Sequence, residues 1–189
     1  MEYKLMIQST PNPNALKFVT NVPVKTQGNV TYKSADQCQD NTLAQKVFDL
    51  SSNITEVYFF DNYITVTQNG QDDWDELEQK TRTAILENIE DHNPDFEVKI
   101  EKKETAKSGP VSPEVKQIDA IIDETVRPAL QMDGGDLQVV DYVDNTVKVF
   151  YQGACGSCPS ATMGTLMAIE NILKDRFNPD IKVEIAETF

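Results

Sequence analysis

The chain has 189 residues, enough for one large domain or two small ones, and its 39% hydrophobic and 25% charged residues are typical of a globular protein. Its 17 Lys and Arg against 31 Asp and Glu give a net charge of −14, so few cations are present to bind nucleic acid or an anionic membrane. We therefore expect neither among its partners. The chain starts directly in a strand pattern without a secretory or transit signal, which predicts a cytoplasmic protein.

The composition divides the chain into two parts. Residues 101–113 are polar and contain a Gly-Pro step, which predicts a flexible linker. This linker separates an N-terminal domain, residues 1–100, from a C-terminal domain, residues 114–189. Each part has its own helix and strand patterns, so the sequence predicts an α+β protein of two small domains.

The elements of the N-terminal domain predict an α/β fold with a mixed or antiparallel sheet. Its aromatic residues are interpreted as core, and the residue pattern itself predicts no site there. In chain order we predict a hairpin of Tyr3–Gln8 and Ala15–Thr20, a helix over 41–50 behind Asn41, a β pair of Ile54–Phe60 and Tyr63–Thr67, a long amphipathic helix from Trp74 to Glu90, and a closing strand Phe96–Ile100.

The C-terminal domain is predicted to have the order α-β-β-α-β, with a three-stranded sheet and two helices. Its elements are a helix opened by Ser112 and Pro113 and kinked or ended at Pro128, a Gly134-Gly135 turn with acidic flanks, a hairpin of Leu137–Tyr142 and Thr146–Tyr151, a helix after Pro159, and a last strand Lys182–Ala186.

Cys155 and Cys158 are the candidate functional residues of this chain, by residue type and by position. Their spacing lets one metal ion, one cluster or one disulfide engage both sulfurs. Pro159 suits the first position of the following helix, so Cys158 is predicted to lie near a helix N-terminus, where a thiolate is stabilised.

Three interpretations of this pair compete: metal or iron–sulfur ligation, dithiol redox chemistry, and an incidental pair. The preceding hairpin and the short domain speak against a thioredoxin-type fold. Zinc and iron–sulfur sites usually need four protein ligands. Cys38 is interpreted as an incidental surface thiol and His92 as a solvated residue at a helix end. Two copies of the chain, each donating both cysteines, would supply four thiolates.

The segment from about Val115 to Glu184 resembles the C-terminal domain of NifU-like iron–sulfur scaffold proteins. The resemblance is carried by Arg127-Pro128-Ala129-Leu130, by Met132-Asp133-Gly134-Gly135-Asp136, and by the run from Gly153 to Pro159 that contains both cysteines. Residues 1–100, with Thr10-Pro11-Asn12-Pro13-Asn14-Ala15-Leu16-Lys17-Phe18, resemble the N-terminal domain that precedes it in many members.

This resemblance implies a non-enzymatic scaffold or carrier in which Cys155 and Cys158 are the ligands. It implies a labile 4Fe–4S cluster, with 2Fe–2S as the alternative, shared by two chains in a cluster-bridged homodimer. The implied partners are apo iron–sulfur proteins as acceptors and upstream cluster assembly machinery. The alternative functions are a dithiol redox protein and a zinc-bridged structural dimer, which would use the same sulfurs.

Overall fold

The computed structural model describes residues 2–97, 112–156 and 159–186, apart from the side chains of 159–163. The chain forms two compact units, Met1–Lys99 and Ile100–Phe189. Each combines a β-sheet with helices, which confirms the predicted α+β class. None of the helices in the described part of the chain is long and apolar enough to cross a membrane.

The first unit is built on one antiparallel sheet. Its elements are β1 (Leu5–Ser9), β2 (Ala15–Thr20), β3 (Lys25–Tyr32), a 3₁₀ turn (Ala35–Gln37), α1 (Thr42–Phe48), β4 (Ile54–Asp61), β5 (Tyr63–Gln68) and α2 (Trp74–Asn88). The strands lie in the order β1-β2-β5-β4-β3, and every neighbouring pair is antiparallel. The sheet is therefore of the antiparallel kind, one of the two that the sequence predicted.

Side-chain caps fix the starts of both α-helices in this unit. The side chain of Asn41 accepts a hydrogen bond from the Ala44 N–H at 3.1 Å, and Asp73 accepts one from Asp75 at 2.9 Å. Such caps satisfy backbone donors that have no partner inside the helix. The apolar faces of the helices and the sheet meet in a core that includes Phe18, Leu43, Val47, Val57, Phe59, Ile64, Leu77 and Ile85.

Two features of this unit differ from the sequence prediction. Strand β3 was not predicted, because its polar residues and Gly28, at a φ of 67°, interrupt the alternation. Its pairing with β4 shifts register between Lys25 and Asn29. In the predicted strand Phe96–Ile100, the first two residues are not in a strand, and the other three lie outside the described residues.

The second unit contains a three-stranded sheet. Its elements are α3 (Pro113–Thr125), α4 (Arg127–Met132), β6 (Gly135–Val143), β7 (Thr146–Gly153), α5 (Pro159–Arg176) and β8 (Lys182–Ile185). Strands β6 and β7 are antiparallel, whereas β7 and β8 are parallel. Buried residues of the helices and the sheet form one core, which includes Ile118, Ile122, Leu137, Val147, Val149, Ile169 and Leu173.

The first helical segment of this unit is divided in two, which agrees with the predicted effect of Pro128. Helix α3 ends before Val126, and Pro128 occupies the first turn of α4. Proline is tolerated there because that position lacks an intrahelical N–H partner. The described residues therefore contain three α-helices in this unit, where the element order α-β-β-α-β predicted two.

Candidate metal centre

Cys155 lies in the turn that follows β7. Gly153, the last residue of β7, has a φ of 64°, a left-handed conformation that favours glycine. The turn is closed by a hydrogen bond from the Gly156 N–H to the Gly153 carbonyl at 3.0 Å. Cys155 is buried, with 7% of its surface exposed, and it belongs to the core of the second unit. The backbone therefore holds its sulfur against the end of the sheet.

Gly135, the first residue of β6, provides the space for this sulfur. A Cβ atom on Gly135 would lie 2.6 Å from Sγ of Cys155 and 2.7 Å from the Gln152 carbonyl oxygen. No real Cβ makes contacts this short, so any side chain here would displace the sulfur or the backbone. The neighbouring Ala154 N–H donates to the Gly134 carbonyl at 3.2 Å. The two glycine-containing turns thus pack directly on each other.

An ion-pair cluster around Arg127 fixes this corner. Nε of Arg127 lies 3.0 Å from the Asp136 carboxylate, whose side chain is 3% exposed, and the guanidinium also donates to the Leu137 carbonyl at 2.9 Å. The same guanidinium pairs with Asp119 at 2.8 Å and with Asp123, both on α3. Arg127 therefore ties α3 and α4 to the first residues of β6, immediately beside Gly135.

The sequence pattern does not predict this cluster. The pattern indicates the acidic flank of a turn at Asp136, whereas the structure places Asp136 in β6 as a buried partner of Arg127. The spacing of Asp119 and Asp123, eight and four residues before Arg127, could have indicated the cluster, because residues four apart share a helix face. The role of Gly135 had no such signal, since it depends on the packing of two distant turns.

Cys158 lies outside the described residues, so the structure does not show how it lies relative to Cys155. Helix α5 begins at Pro159, the next residue in the sequence, as predicted. No group of three or more His, Cys, Asp or Glu side chains with metal-binding geometry occurs among the residues that the structure describes.

Two residues considered as extra ligands differ from their predicted settings. Cys38 is fully buried, not a surface thiol: it directly follows the 3₁₀ turn and belongs to the core of the first unit. Burial, and secondly the charge of Asp40, raise the pKa of the Cys38 thiol to about 12. Its sulfur donates to the Ser34 carbonyl at 3.3 Å.

His92 is not a solvated helix-end residue either. Its ring stacks on Phe59, with 5.8 Å between ring centroids, and Nε2 lies 2.7 Å from the Val24 carbonyl oxygen. Burial lowers the pKa of His92, the hydrogen bond to Val24 opposes that shift, and the charge of Lys25 adds to it. The helix-end sequence did not reveal this packing, because it depends on strands far away in the chain.

Comparison with known families matches both units. Residues 5–92 match the family model described as scaffold protein Nfu/NifU N terminal, and residues 118–184 match that of the NifU-like domain. The two matches do not overlap and together cover most of the chain. The chain belongs to the NifU-like scaffold family, which confirms the resemblance found in the sequence.

Relatives in plants and animals align with nearly the whole chain. NifU-like protein 4, mitochondrial, of Arabidopsis thaliana is 31% identical over 173 residues, which are 89% of this chain and 61% of the relative. NFU1 iron-sulfur cluster scaffold homolog, mitochondrial, of Homo sapiens is 28% identical over 90% of this chain and 66% of its own length. The chain thus spans roughly three fifths of the Arabidopsis relative.

The predicted cytoplasmic location is wrong by this comparison, since these relatives are named as mitochondrial proteins. That prediction relied only on the first residues of the chain.

Among solved structures, a NifU-like protein from Saccharomyces cerevisiae is similar at 19% identity and a TM-score of 0.44, over 51% of this chain and 85% of that protein.

Proposed function

We propose that this protein is a non-enzymatic iron–sulfur carrier that holds a labile 4Fe–4S cluster between two chains and passes it to apo-proteins. Cys155 and Cys158 of each chain would be the ligands. The observation that carries the proposal is the placement of the Cys155 sulfur over Gly135, in a turn that begins after Gly153 at the end of β7. The relatives named as iron–sulfur cluster scaffolds support it.

The chemistry and number of the donors favour a shared cluster. Thiolate sulfur is a soft ligand, suited to iron–sulfur clusters and to zinc. One chain offers two sulfurs in this motif, whereas a cluster usually takes four protein ligands. Cys38 is a poor additional ligand, because its buried thiol holds its proton up to a pH of about 12. A second copy related by a two-fold axis supplies the missing pair.

The proposed role is carriage of the cluster as cargo. Each chain offers only two ligands in this motif, and Cys155 lies on a turn at the end of β7, so the thiolates of an acceptor can replace the ligands one at a time. Upstream assembly machinery would supply the cluster, and apo iron–sulfur proteins would receive it. We further propose that residues 1–100 and 114–189 act as separate domains joined by 101–113, with the ligands in the second domain.

Anaerobic reconstitution of the full chain with iron and sulfide tests this function. The parent protein is expected to acquire broad visible absorption and the Mössbauer spectrum of a 4Fe–4S cluster. Either Cys155→Ser or Cys158→Ser should remove stable cluster binding, because a serine oxygen is a harder ligand. The matched control is Cys38→Ser, which should leave the spectrum unchanged.

Each failure of this experiment has a distinct meaning. Loss of the cluster in the Cys38 variant, with both other thiols intact, would show that the ligand set is wrong. A colourless dimer that retains zinc would indicate that the cysteines form a structural zinc site and not a cluster-carrying site. A monomer that cycles between dithiol and disulfide without metal would indicate a redox protein.

A further inference from the structure

The strands at the edges of the two sheets are β1, β3, β6 and β8, and three of them have contacts on their outer side. An edge strand presents N–H and C=O groups that can pair with another strand, and natural proteins usually cover or interrupt them. On β6, Arg127 donates to the Leu137 carbonyl at 2.9 Å, and the Asp136 carboxylate accepts from the Leu137 N–H at 2.7 Å. These contacts occupy part of the outer side of β6.

The outer sides of β8 and β3 are contacted as well. On β8, the Val183 N–H donates to the Glu170 carboxylate at 3.2 Å. On β3, the Thr26 N–H donates to the Pro94 carbonyl at 3.1 Å, beside the register shift that interrupts the pairing with β4. Each of these three edges therefore carries a contact that hinders the addition of a further strand.

Strand β1 is the fourth edge, and its outer side is open. The backbone groups of Lys4 face β2, since the Lys4 carbonyl accepts from the Asn21 N–H at 3.1 Å. Backbone direction alternates along a strand, so the outward N–H and C=O groups belong to Leu5, Ile7 and Ser9. In the part of the chain that the structure describes, these outward groups have no hydrogen-bond partner.

The composition and register of β1 suit pairing with another strand. Its sequence, Leu-Met-Ile-Gln-Ser, has no charge, proline or glycine, and its pairing with β2 runs without a bulge. Charges, prolines and bulges are the features that usually block an edge strand. Leu5 and Ile7 pack partly buried against the core, whereas Met6, on the other face of the sheet, is 56% exposed. An added strand would therefore cover apolar side chains on both faces.

The charge of the first unit distinguishes between possible partners. Residues 2–97 contain 7 Lys and Arg against 16 Asp and Glu, a net charge of −9. A second copy of the chain would bring the same negative charge, so electrostatic repulsion opposes the pairing of β1 with itself. A basic partner is attracted by the same field.

We propose that β1 is a docking site for an extended segment of a basic partner protein, which adds to the five-stranded sheet as a sixth strand. Main-chain hydrogen bonds to Leu5, Ile7 and Ser9 hold the segment. Its apolar side chains pack beside Leu5 and Ile7 on one face and beside Met6 on the other. The proposal concerns the first unit and does not depend on the proposed function.

Amide hydrogen exchange of the full chain without metal, followed by nuclear magnetic resonance, tests this proposal. The probe is a short synthetic peptide with lysines at both ends and alternating valine and threonine between them. At millimolar peptide, the amides of Leu5, Ile7 and Ser9 should exchange severalfold more slowly. The amides of Met6 and Gln8, which already pair with β2, should change less. Unchanged exchange at the three outward amides would overturn the proposal.

The matched control peptide carries glutamates at both ends in place of the lysines. At low ionic strength it should bind about tenfold more weakly or less, because the first unit repels it. Equal binding of the two peptides would contradict a basic partner. Slower exchange of the same amides at high protein concentration, without any peptide, would show that a second copy occupies β1 instead.

Ser9→Pro tests the main-chain hydrogen bonds. The variant removes one outward N–H and no bond to β2, and proline is tolerated on the solvent side of an edge strand. Binding of the lysine peptide should weaken about two- to tenfold, as expected for one hydrogen bond. Ser9→Ala keeps the N–H and should bind as the parent does. Equal binding by the proline and alanine variants would contradict main-chain pairing.

Met6→Lys tests the position of the site. A lysine here places a charge beside the added strand and should weaken binding of the lysine peptide severalfold. The matched control is Met167→Lys on α5, where the methionine is 64% exposed and lies in the second unit. Equal weakening in both variants would show a general effect of charge and contradict docking at β1. Trp74 fluorescence during denaturation should show that the first unit stays folded in every variant.

Discussion

The two cysteines that the structure describes show how differently the two units treat a thiol. Cys38, in the first unit, is fully enclosed, gives its hydrogen bond to the Ser34 carbonyl and has a pKa raised to about 12. Cys155, in the second unit, is almost as buried, but it lies on a turn between a strand and a helix. Burial alone therefore does not distinguish a structural thiol from a candidate ligand. The distinguishing feature of Cys155 is its position in a backbone turn at the end of β7.

The largest expected effect comes from breaking the ion-pair cluster of the second unit. Arg127→Ala leaves the buried Asp136 carboxylate without its cation, and removal of one partner from such a pair costs about 3–5 kcal/mol. The second unit should lose this much stability, as measured by hydrogen exchange during denaturation. The fluorescence of Trp74, the single tryptophan of the chain, should show an unchanged first unit.

Arg176→Ala is the control for that variant. Arg176 pairs with Glu124 at 3.0 Å, but both side chains are largely exposed, so we expect a loss of at most about 1 kcal/mol. Equal losses in the two variants would show that the Arg127 cluster does not hold the corner beside Gly135.

Gly135→Ala should have the next largest effect. The added methyl group would collide with the Cys155 sulfur, and overpacking of this kind costs about 1–3 kcal/mol. Cluster binding should weaken strongly, because the sulfur must move. The control is Gly164→Ala on α5, where a Cβ meets no atom within 4 Å and alanine favours the helix by roughly 1 kcal/mol. Normal reconstitution of the Gly135 variant would contradict this account of the sulfur's position.

The smallest effect concerns the first unit and pH. Burial lowers the pKa of folded His92, so the unfolded chain binds the proton more readily. The stability of the first unit should therefore be complete above about pH 6.5, the usual pKa of histidine, and fall as the pH drops below it. In denaturation followed by Trp74 fluorescence, His92→Gln should remove that part of the pH dependence. An unaltered pH profile in this variant would show that another group is responsible.

Local patterns predicted most of the helices and strands and the two candidate ligands, because hydrophobic periodicity, helix caps and cysteine spacing depend only on residues close together in the sequence. Asn41 as a cap, the break at Pro128 and the start of α5 at Pro159 are examples. Strand β3 was missed because its irregular register hides the alternation. The contact of Gly135 with Cys155 and the packing of His92 join residues distant in sequence, so no local pattern could reveal them.

The most direct test of the central claim is the mass of the anaerobically reconstituted protein, measured under native conditions together with its iron and sulfide content. We predict a species of two chains with one 4Fe–4S cluster, formed from a mainly monomeric apo-protein, since each chain supplies two of the four thiolates. A complete cluster bound to a single chain, with no change in assembly, would contradict the shared site.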